Sequence, residues 1–322
     1  MAGHDLRVSD LTTSYSRGAP PILSALHLTF PAGESFAIVG ESGSGKTTLA
    51  RVISGLMRPL NGEVTLGGES LWADGRWRGT RRVQYVPQDP SSSLNPRMTV
   101  GEAIAEVIDP RRPGRARTQA VELLRSVGLS GTEYARYPHE LSGGQRQRIA
   151  ISRAIAVRPE VLVADEITSA LDSTVQAEVL SVLADLRRTM NLSLVLISHD
   201  LAVVSVACSQ AAVLYRGTIV EAGLTANLLG RPRHPYTRLL LDSVPGAGRR
   251  RQPPVGPSAR GHDDGPPGRG CVFRARCSSL YPGRQTTACE RVRPQLVGSA
   301  ESRTACHVPL LPTMETKMEE NR

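Results

Sequence analysis

Gly40-Glu41-Ser42-Gly43-Ser44-Gly45-Lys46-Thr47 lies between two stretches of different character. Before it, Phe36-Ala37-Ile38-Val39 is a short continuous apolar run and reads as a buried strand. After it, Thr48 to Ser54 reads as a helix that Gly55 can close. The octet has the spacing of a Walker A phosphate loop, and strand–loop–helix is the context that motif requires. Its residue types follow from the chemistry. Glycines let the main chain wrap closely around phosphate oxygens and present N–H groups at a helix N-terminus. Lys46 can reach the β- and γ-phosphates as a point charge, and the Thr47 hydroxyl can ligate Mg²⁺. Thr48, opening the helix, completes this candidate nucleotide-binding set.

The chain around this loop has 322 residues, of which 40% are hydrophobic, enough for one large domain plus an appendage. No apolar run approaches the ~18–20 residues of a membrane span. The N-terminus, Met1-Ala2-Gly3-His4-Asp5, lacks a basic region followed by an apolar one, so a soluble, cytoplasmic protein without a signal peptide is expected. The net charge of +9 comes from 39 basic and 30 acidic residues. Much of the excess sits in Arg111-Arg112, Arg115, Arg117 and Arg249-Arg250-Arg251, flanked by Pro and Gly. No aromatic residues interleave with them as stacking platforms would, so solvated loops are expected rather than a nucleic-acid surface.

Several further stretches carry chemistry. Tyr15, ahead of the phosphate-loop strand, can stack on a purine, although a tyrosine at a strand end is more often ordinary packing. Gln88, in Val86-Pro87-Gln88-Asp89-Pro90, follows a short strand from Arg82 to Val86, where a neutral amide can touch Mg²⁺ or its water. Helical spacing over Val100–Ile108 and Thr118–Val127 leads to Leu141-Ser142-Gly143-Gly144-Gln145 and an amphipathic run from Arg146 to Val157. A Ser-Gly-Gly turn opening a helix is a second ready-made anion site. A single γ-phosphate needs only one.

Val161-Leu162-Val163-Ala164-Asp165-Glu166 is apolar until its last two residues and reads as a central parallel strand. Strand alternation would place the two carboxylates on opposite sides, Asp165 for Mg²⁺ and Glu166 as a base that polarises water. Ser169-Ala170-Leu171-Asp172 precedes a helix from about Thr174 to Arg188. Another buried strand, Leu192 to Ile197, ends at Ser198-His199-Asp200, where His199 can bond a γ-phosphate or position a water.

With these residues in order, the chain resembles the ATP-binding subunit of an ABC transporter. A lone phosphate loop would leave many NTPase families open. Leu-Ser-Gly-Gly-Gln between phosphate loop and acidic strand narrows them to one. The resemblance implies an α/β P-loop cassette with a mainly parallel core sheet, an antiparallel β subdomain and a helical signature subdomain, over residues 1–244. It further implies two cassettes in a head-to-tail dimer with two ATP molecules and Mg²⁺ between them. Each ATP is gripped by the phosphate loop of one chain and the signature turn of the other, which accounts for the surplus anion site. On that pattern Ser142, Gly143, Gly144 and Gln145 hold the partner's γ-phosphate. Glu166 is the catalytic base, His199 the γ-phosphate switch, Tyr15 the adenine platform, and Asp172 communicates across the dimer. The chain departs from the family at Ile167, where members commonly carry Pro.

A finer resemblance lies outside the ATP machinery. Val86-Pro87-Gln88-Asp89-Pro90-Ser91-Ser92-Ser93-Leu94-Asn95-Pro96-Arg97 and His234-Pro235-Tyr236-Thr237-Arg238-Leu239-Leu240 are similar to segments of oligopeptide, dipeptide and nickel importer ATPases. It implies Gln88 and its loop coupling to the membrane subunits, and peptide as cargo with nickel second. The implied partners are two permeases, a second ATPase subunit and, indirectly, an extracytoplasmic substrate-binding protein, at the cytoplasmic face of a bacterial membrane. A soluble ABC ATPase of translation or DNA repair is the alternative of another class. Such proteins usually carry two cassettes or a long coiled-coil insertion, neither of which is in this chain.

Residues 245–270 are rich in Pro, Gly and Arg and read as a linker. Four of the five cysteines follow it, Cys271, Cys277, Cys289 and Cys306, in a tail from 271 to 322, and Cys208 stands apart as a small buried residue. A cytoplasmic compartment argues against stable disulfides. Clustered thiols suit Zn²⁺ or an iron–sulfur cluster, although the spacing contains no Cys-x₂-Cys pair. The tail is similar to that of the peptide importers, some of which are thought to hold an iron–sulfur cluster there. Unmetallated thiols are the even alternative.

Overall fold

The computed structural model describes residues 3–16, 18–244, 269–281 and 283–310. Most of the expected linker, the Arg249-Arg250-Arg251 cluster and residues 311–322 lie outside the described residues.

The chain opens with β1 (Leu6–Thr13), β2 (Leu23–Phe30), β3 (Ser35–Val39) and α1 (Lys46–Ile53). Next come β4 (Asn61–Leu66), the two-residue strands β5 (Glu69–Ser70), β6 (Trp72–Ala73) and β7 (Arg76–Trp77), and β8 (Val83–Val86). A helical segment follows, α2 (Val100–Ile108), α3 (Arg117–Ser126) and α4 (Gly143–Ile155). Strands and helices then alternate as β9 (Val161–Asp165), α5 (Ser173–Met190), β10 (Ser193–Ser198), α6 (Leu201–Ala207) and β11 (Gln210–Tyr215). After them come β12 (Thr218–Leu224), α7 (Thr225–Gly230) and α8 (Pro235–Asp242). The tail adds α9 (Arg274–Leu280), α10 (Thr287–Arg291), β13 (Val297–Ser299) and β14 (Ser302–Thr304).

The core is an eight-stranded sheet of order β13-β14-β12-β11-β3-β10-β9-β8. From β11 to β8 every pairing is parallel. β3, β9 and β10 are buried at every position, as parallel strands covered on both faces must be. A four-stranded antiparallel sheet, β2-β1-β4-β5, forms the second layer. Its apolar face packs with Phe36 and Ile38 of β3 and with Leu49 and Ile53 of α1. The α2–α4 segment closes on Ile104, Leu124, Ile149 and Ile151, all buried.

Local chemistry sets the helix boundaries. Thr99 and Glu102 form a reciprocal capping box at the start of α2. The Asp172 side chain accepts from the Thr174 and Val175 N–H groups at the start of α5, and Asn191 closes that helix at φ 51°. The helix after the phosphate loop begins at Lys46, two residues earlier than the apolar pattern suggested, because the loop itself supplies its first turn.

The tail joins the core sheet. β14 pairs antiparallel with β12 through Glu221–Thr304, Ala222–Arg303 and Gly223–Ser302, and β13 pairs with β14. Phe273, buried, sits in an aromatic cluster with Tyr215, His234 and Tyr236 at centroid distances of 5.3, 5.6 and 5.5 Å.

Candidate ATP site

Parallel pairing brings Val39, Asp165 and Ser198 to the same end of the sheet, with Ser198 opposite Val39 and Ile197 opposite Asp165. Ligands of open α/β sheets bind at such carboxyl ends. The phosphate loop leaves β3 here. A Cβ at Gly40 would come within 2.2 Å of the Leu214 carbonyl oxygen, so the loop passes too close to β11 for any side chain there. Gly45 stands at φ 106° as the N-cap of α1, a left-handed conformation natural to glycine.

Lys46, 5% exposed, donates through Nζ to the carbonyls of Gly40 at 2.9 Å and Glu41 at 3.0 Å. Burial lowers its ammonium from the ordinary value, opposed by the carboxylates of Glu166, Asp165 and Glu41. Thr47 Oγ1 donates to Asp165 Oδ1 at 3.3 Å, and Tyr85 Oη donates to Asp165 Oδ2 at 2.8 Å. Burial holds the Asp165 carboxyl above its ordinary value, against those two hydrogen bonds. Tyr85 is a site residue that sequence reasoning missed. Its signal was its place on β8 beside β9, where Tyr85 pairs with Val163.

Glu166 lies beyond the end of β9, at φ 48°. The strand-alternation argument therefore does not apply to it. A left-handed turn separates the two carboxylates. Such strain in a non-glycine residue persists where the surroundings enforce it. Here the Glu166 N–H donates to the Ile197 carbonyl, and its own carbonyl accepts from the N–H and hydroxyl of Ser169. The carboxylate is thereby carried to 3.9 Å from Lys46 Nζ and 3.4 Å from His199 Nδ1. Ile167, the next residue, is buried in the core shared with α2–α4.

Tyr15 lies with its ring exposed and its hydroxyl 3.1 Å from Thr48 Oγ1, at the start of α1. Gln88 Nε2 donates to Ser169 Oγ at 3.2 Å, so the loop after β8 touches the turn after Glu166. Glu41 sits at the rim, paired with Arg276 of the tail.

The signature turn opens α4. The Ser142 hydroxyl accepts from the Gln145 N–H, and the Gln145 side-chain oxygen accepts from the Ser142 N–H, a capping box at the start of α4. Among the described residues, no hydrogen bond or ion pair joins 142–145 to the phosphate loop, Asp165, Glu166 or His199.

The cassette residues fit a magnesium nucleotide. Ser44 Oγ is buried without a protein partner, Lys46 offers a buried cation, and Thr47 beside Asp165 supplies the hard oxygens that Mg²⁺ takes. The tail is less complete. Cys271, Cys277, Cys289 and Cys306 are half-buried, with no disulfide among them. Burial pushes Cys277 and Cys306 up to about 11. Among the described residues, no three His, Cys, Asp or Glu side chains are set close enough to hold a metal ion. Cys208 is buried, with its thiol pushed up to about 12 by burial.

A parallel-sheet P-loop core, an antiparallel layer and a capped Leu-Ser-Gly-Gly-Gln helix define an ABC-type ATPase cassette. The chain belongs to the ABC transporter family, in its oligopeptide/dipeptide branch. The ABC transporter family matches residues 23–169, and the oligopeptide/dipeptide transporter C-terminal region matches residues 220–281. A peptide import ATP-binding protein of Brucella abortus is 41% identical over 326 residues, covering 94% of this chain and 93% of that one. A similarly described protein of Brucella ovis is 42% identical over 287 residues, covering 85% and 87%. A dimeric bacterial ABC transporter cassette superposes with a TM-score of 0.59 at 27% identity, covering 68% of this chain and 98% of that one. CbiO1 of Clostridium perfringens, part of the ABC transporter complex CbiONQ, gives 0.63 at 24% identity over 70% and 90%, a likeness of fold. The chain is thus an ABC-family ATPase, and the relatives it matches are named for peptide import. Among the described residues, no helix is long and apolar enough to cross a membrane.

Proposed function

We propose that this chain hydrolyses ATP only when a second cassette closes on it head-to-tail, on the cytoplasmic face of the membrane, beneath two permeases. The observation that carries this is that the capped signature turn and the phosphate loop open two different helices, α4 and α1, with no hydrogen bond or ion pair between them among the described residues. Each is an anion site, and only pairing between chains brings two such sites to one γ-phosphate.

In this reading Gly40 to Thr48 wrap the phosphates, with Ser42 and Gly43 contributing main-chain N–H groups and Lys46 leaving its carbonyl partners for phosphate oxygens. Tyr15 stacks on adenine. Thr47, Asp165 and Gln88 would hold Mg²⁺, which would supply charge neutralisation for phosphoryl transfer. Glu166 accepts a proton from the attacking water, and His199, beside it at 3.4 Å, fixes that water and the γ-phosphate. Ser142, Gly143, Gly144 and Gln145 cap the partner's γ-phosphate. Gln88 reaches Ser169 and thence the Glu166 turn, a path by which the Pro87–Arg97 loop can pass permease contact to the base. The partner cassette is a second, different ATPase subunit, and a substrate-binding protein delivers di- and oligopeptides from outside. The four tail cysteines act here as free thiols, and iron, sulfide and zinc analysis of the purified chain tests this.

Affinity capture from native membranes, followed by mass spectrometry, tests the assembly. Two multi-span permeases and a second ATPase are expected. Capture of ribosomal or DNA-repair proteins without a permease would overturn it.

A further inference from the structure

Glu41, the second residue of the phosphate loop, is held from two sides by parts of the chain far away in sequence. Its N–H donates to the Tyr236 hydroxyl at 2.8 Å. Its carboxylate accepts both arms of the Arg276 guanidinium, at 2.7 and 3.0 Å. Tyr236 is fully buried, on the first turn of α8. Arg276 lies on α9, and its guanidinium carbon sits 5.8 Å from the ring centroids of Tyr215 and Phe273 and 6.0 Å from that of Tyr236. A planar fork over aromatic faces is pre-organised in a way a lysine would not be. The clamp is therefore built from three elements.

We propose that Arg276 and Tyr236 are positioning residues for ATP binding, through which the C-terminal tail sets the shape and charge of the phosphate loop. This rests on the reading of the loop as the ATP site. The Glu41 carboxylate stands at the mouth of a site that must accept several negative charges, and its field already reaches Lys46. Unopposed, it would repel the incoming phosphates and draw the Lys46 ammonium toward itself. Arg276 cancels that charge with a bidentate pair. The Tyr236 hydroxyl, by accepting from the Glu41 N–H, fixes the main chain at the point where the Glu41 carbonyl takes Lys46. The tail acts on catalysis without touching substrate.

Binding of Mg²⁺ with a non-hydrolysable ATP analogue to the full chain, by titration calorimetry, tests the proposal. Arg276→Gln should weaken binding about fivefold, the size expected for one uncompensated charge at partial exposure. Glu41→Gln removes that charge, so the double variant Glu41→Gln/Arg276→Gln should bind within about twofold of Glu41→Gln alone. Arg276→Lys, which keeps the charge and loses the fork, should fall between wild type and Arg276→Gln. Rescue by Glu41→Gln is not expected of an arginine that merely holds the tail folded. Binding by Arg276→Gln equal to wild type, or a double variant as weak as Arg276→Gln, would overturn the clamp. Failure of the wild-type chain to bind the analogue would instead overturn the nucleotide reading.

Discussion

Tyr85 shows how a residue without a motif enters a catalytic site. It donates to Asp165, whose other oxygen accepts from Thr47, so it orients the carboxylate meant for Mg²⁺. Tyr85→Phe should raise the Mg²⁺ concentration for half-maximal ATP hydrolysis about tenfold, with little change in the nucleotide requirement. A magnesium titration checks this. At the same scale, burial decides thiol behaviour. Cys277 and Cys306 are pushed up to about 11, so at pH 8 they are almost wholly protonated in the folded chain. Their alkylation by iodoacetamide should be far slower than in the unfolded chain and should accelerate as pH rises toward 11. Mass mapping of the alkylated cysteines follows both. The clustering of Lys46, Thr47 and Asp165 was legible because their motifs fix spacing. Tyr85 and Arg276 were not, because what places them is tertiary: the pairing of β8 with β9 and the docking of α9.

At the scale of elements, His234 ties α8 to the sheet. Its Nδ1 accepts from the Tyr236 N–H at the helix start, its own N–H donates to Glu221 on β12, and burial lowers the imidazole to about 3. The unfolded chain protonates this group near its ordinary value of 6.5, and the folded chain does so only near 3. Between those values the unfolded state binds the extra proton. Stability is thus lost as pH falls below about 6.5, at up to ~1.4 kcal/mol per pH unit from this group. His234→Gln should flatten that slope in thermal melts taken between pH 4 and 7. α2 was legible to the residue because the apolar period and the Thr99 capping box agree on its ends. Glu166 was misplaced as the last residue of a strand because nothing in the apolar run of β9 signals that the next residue turns left-handed. β2 and the β13–β14 hairpin escaped as well. β13 and β14 are short and carry little periodicity, and it is pairing with β12 and β1 that places the hairpin and β2 in their sheets.

At the scale of the molecule, one fold presents two anion-binding turns at the starts of two different helices, α1 and α4. Their placement on different helices predicts a division of labour between chains. Ser142→Arg should leave MgATP binding to this chain's own phosphate loop intact, yet abolish ATP-dependent pairing with the partner cassette. Sedimentation of the two cassettes with ATP measures it. The layered α/β architecture was readable from the order of motifs, since phosphate loop, signature turn and acidic strand each demand a known neighbour. The tail's incorporation into the core sheet was not, because pairing of β14 with β12 spans a long stretch of sequence that leaves no local trace.

Glu166 is the point on which the account turns, since its carboxylate lies within 4 Å of both Lys46 and His199. The most direct measurement is steady-state ATP hydrolysis by the assembled transporter carrying Glu166→Gln in this chain, with MgATP binding followed in parallel. Loss of a general base predicts turnover reduced at least ~100-fold at this chain's site, with binding retained. Turnover equal to wild type would contradict it.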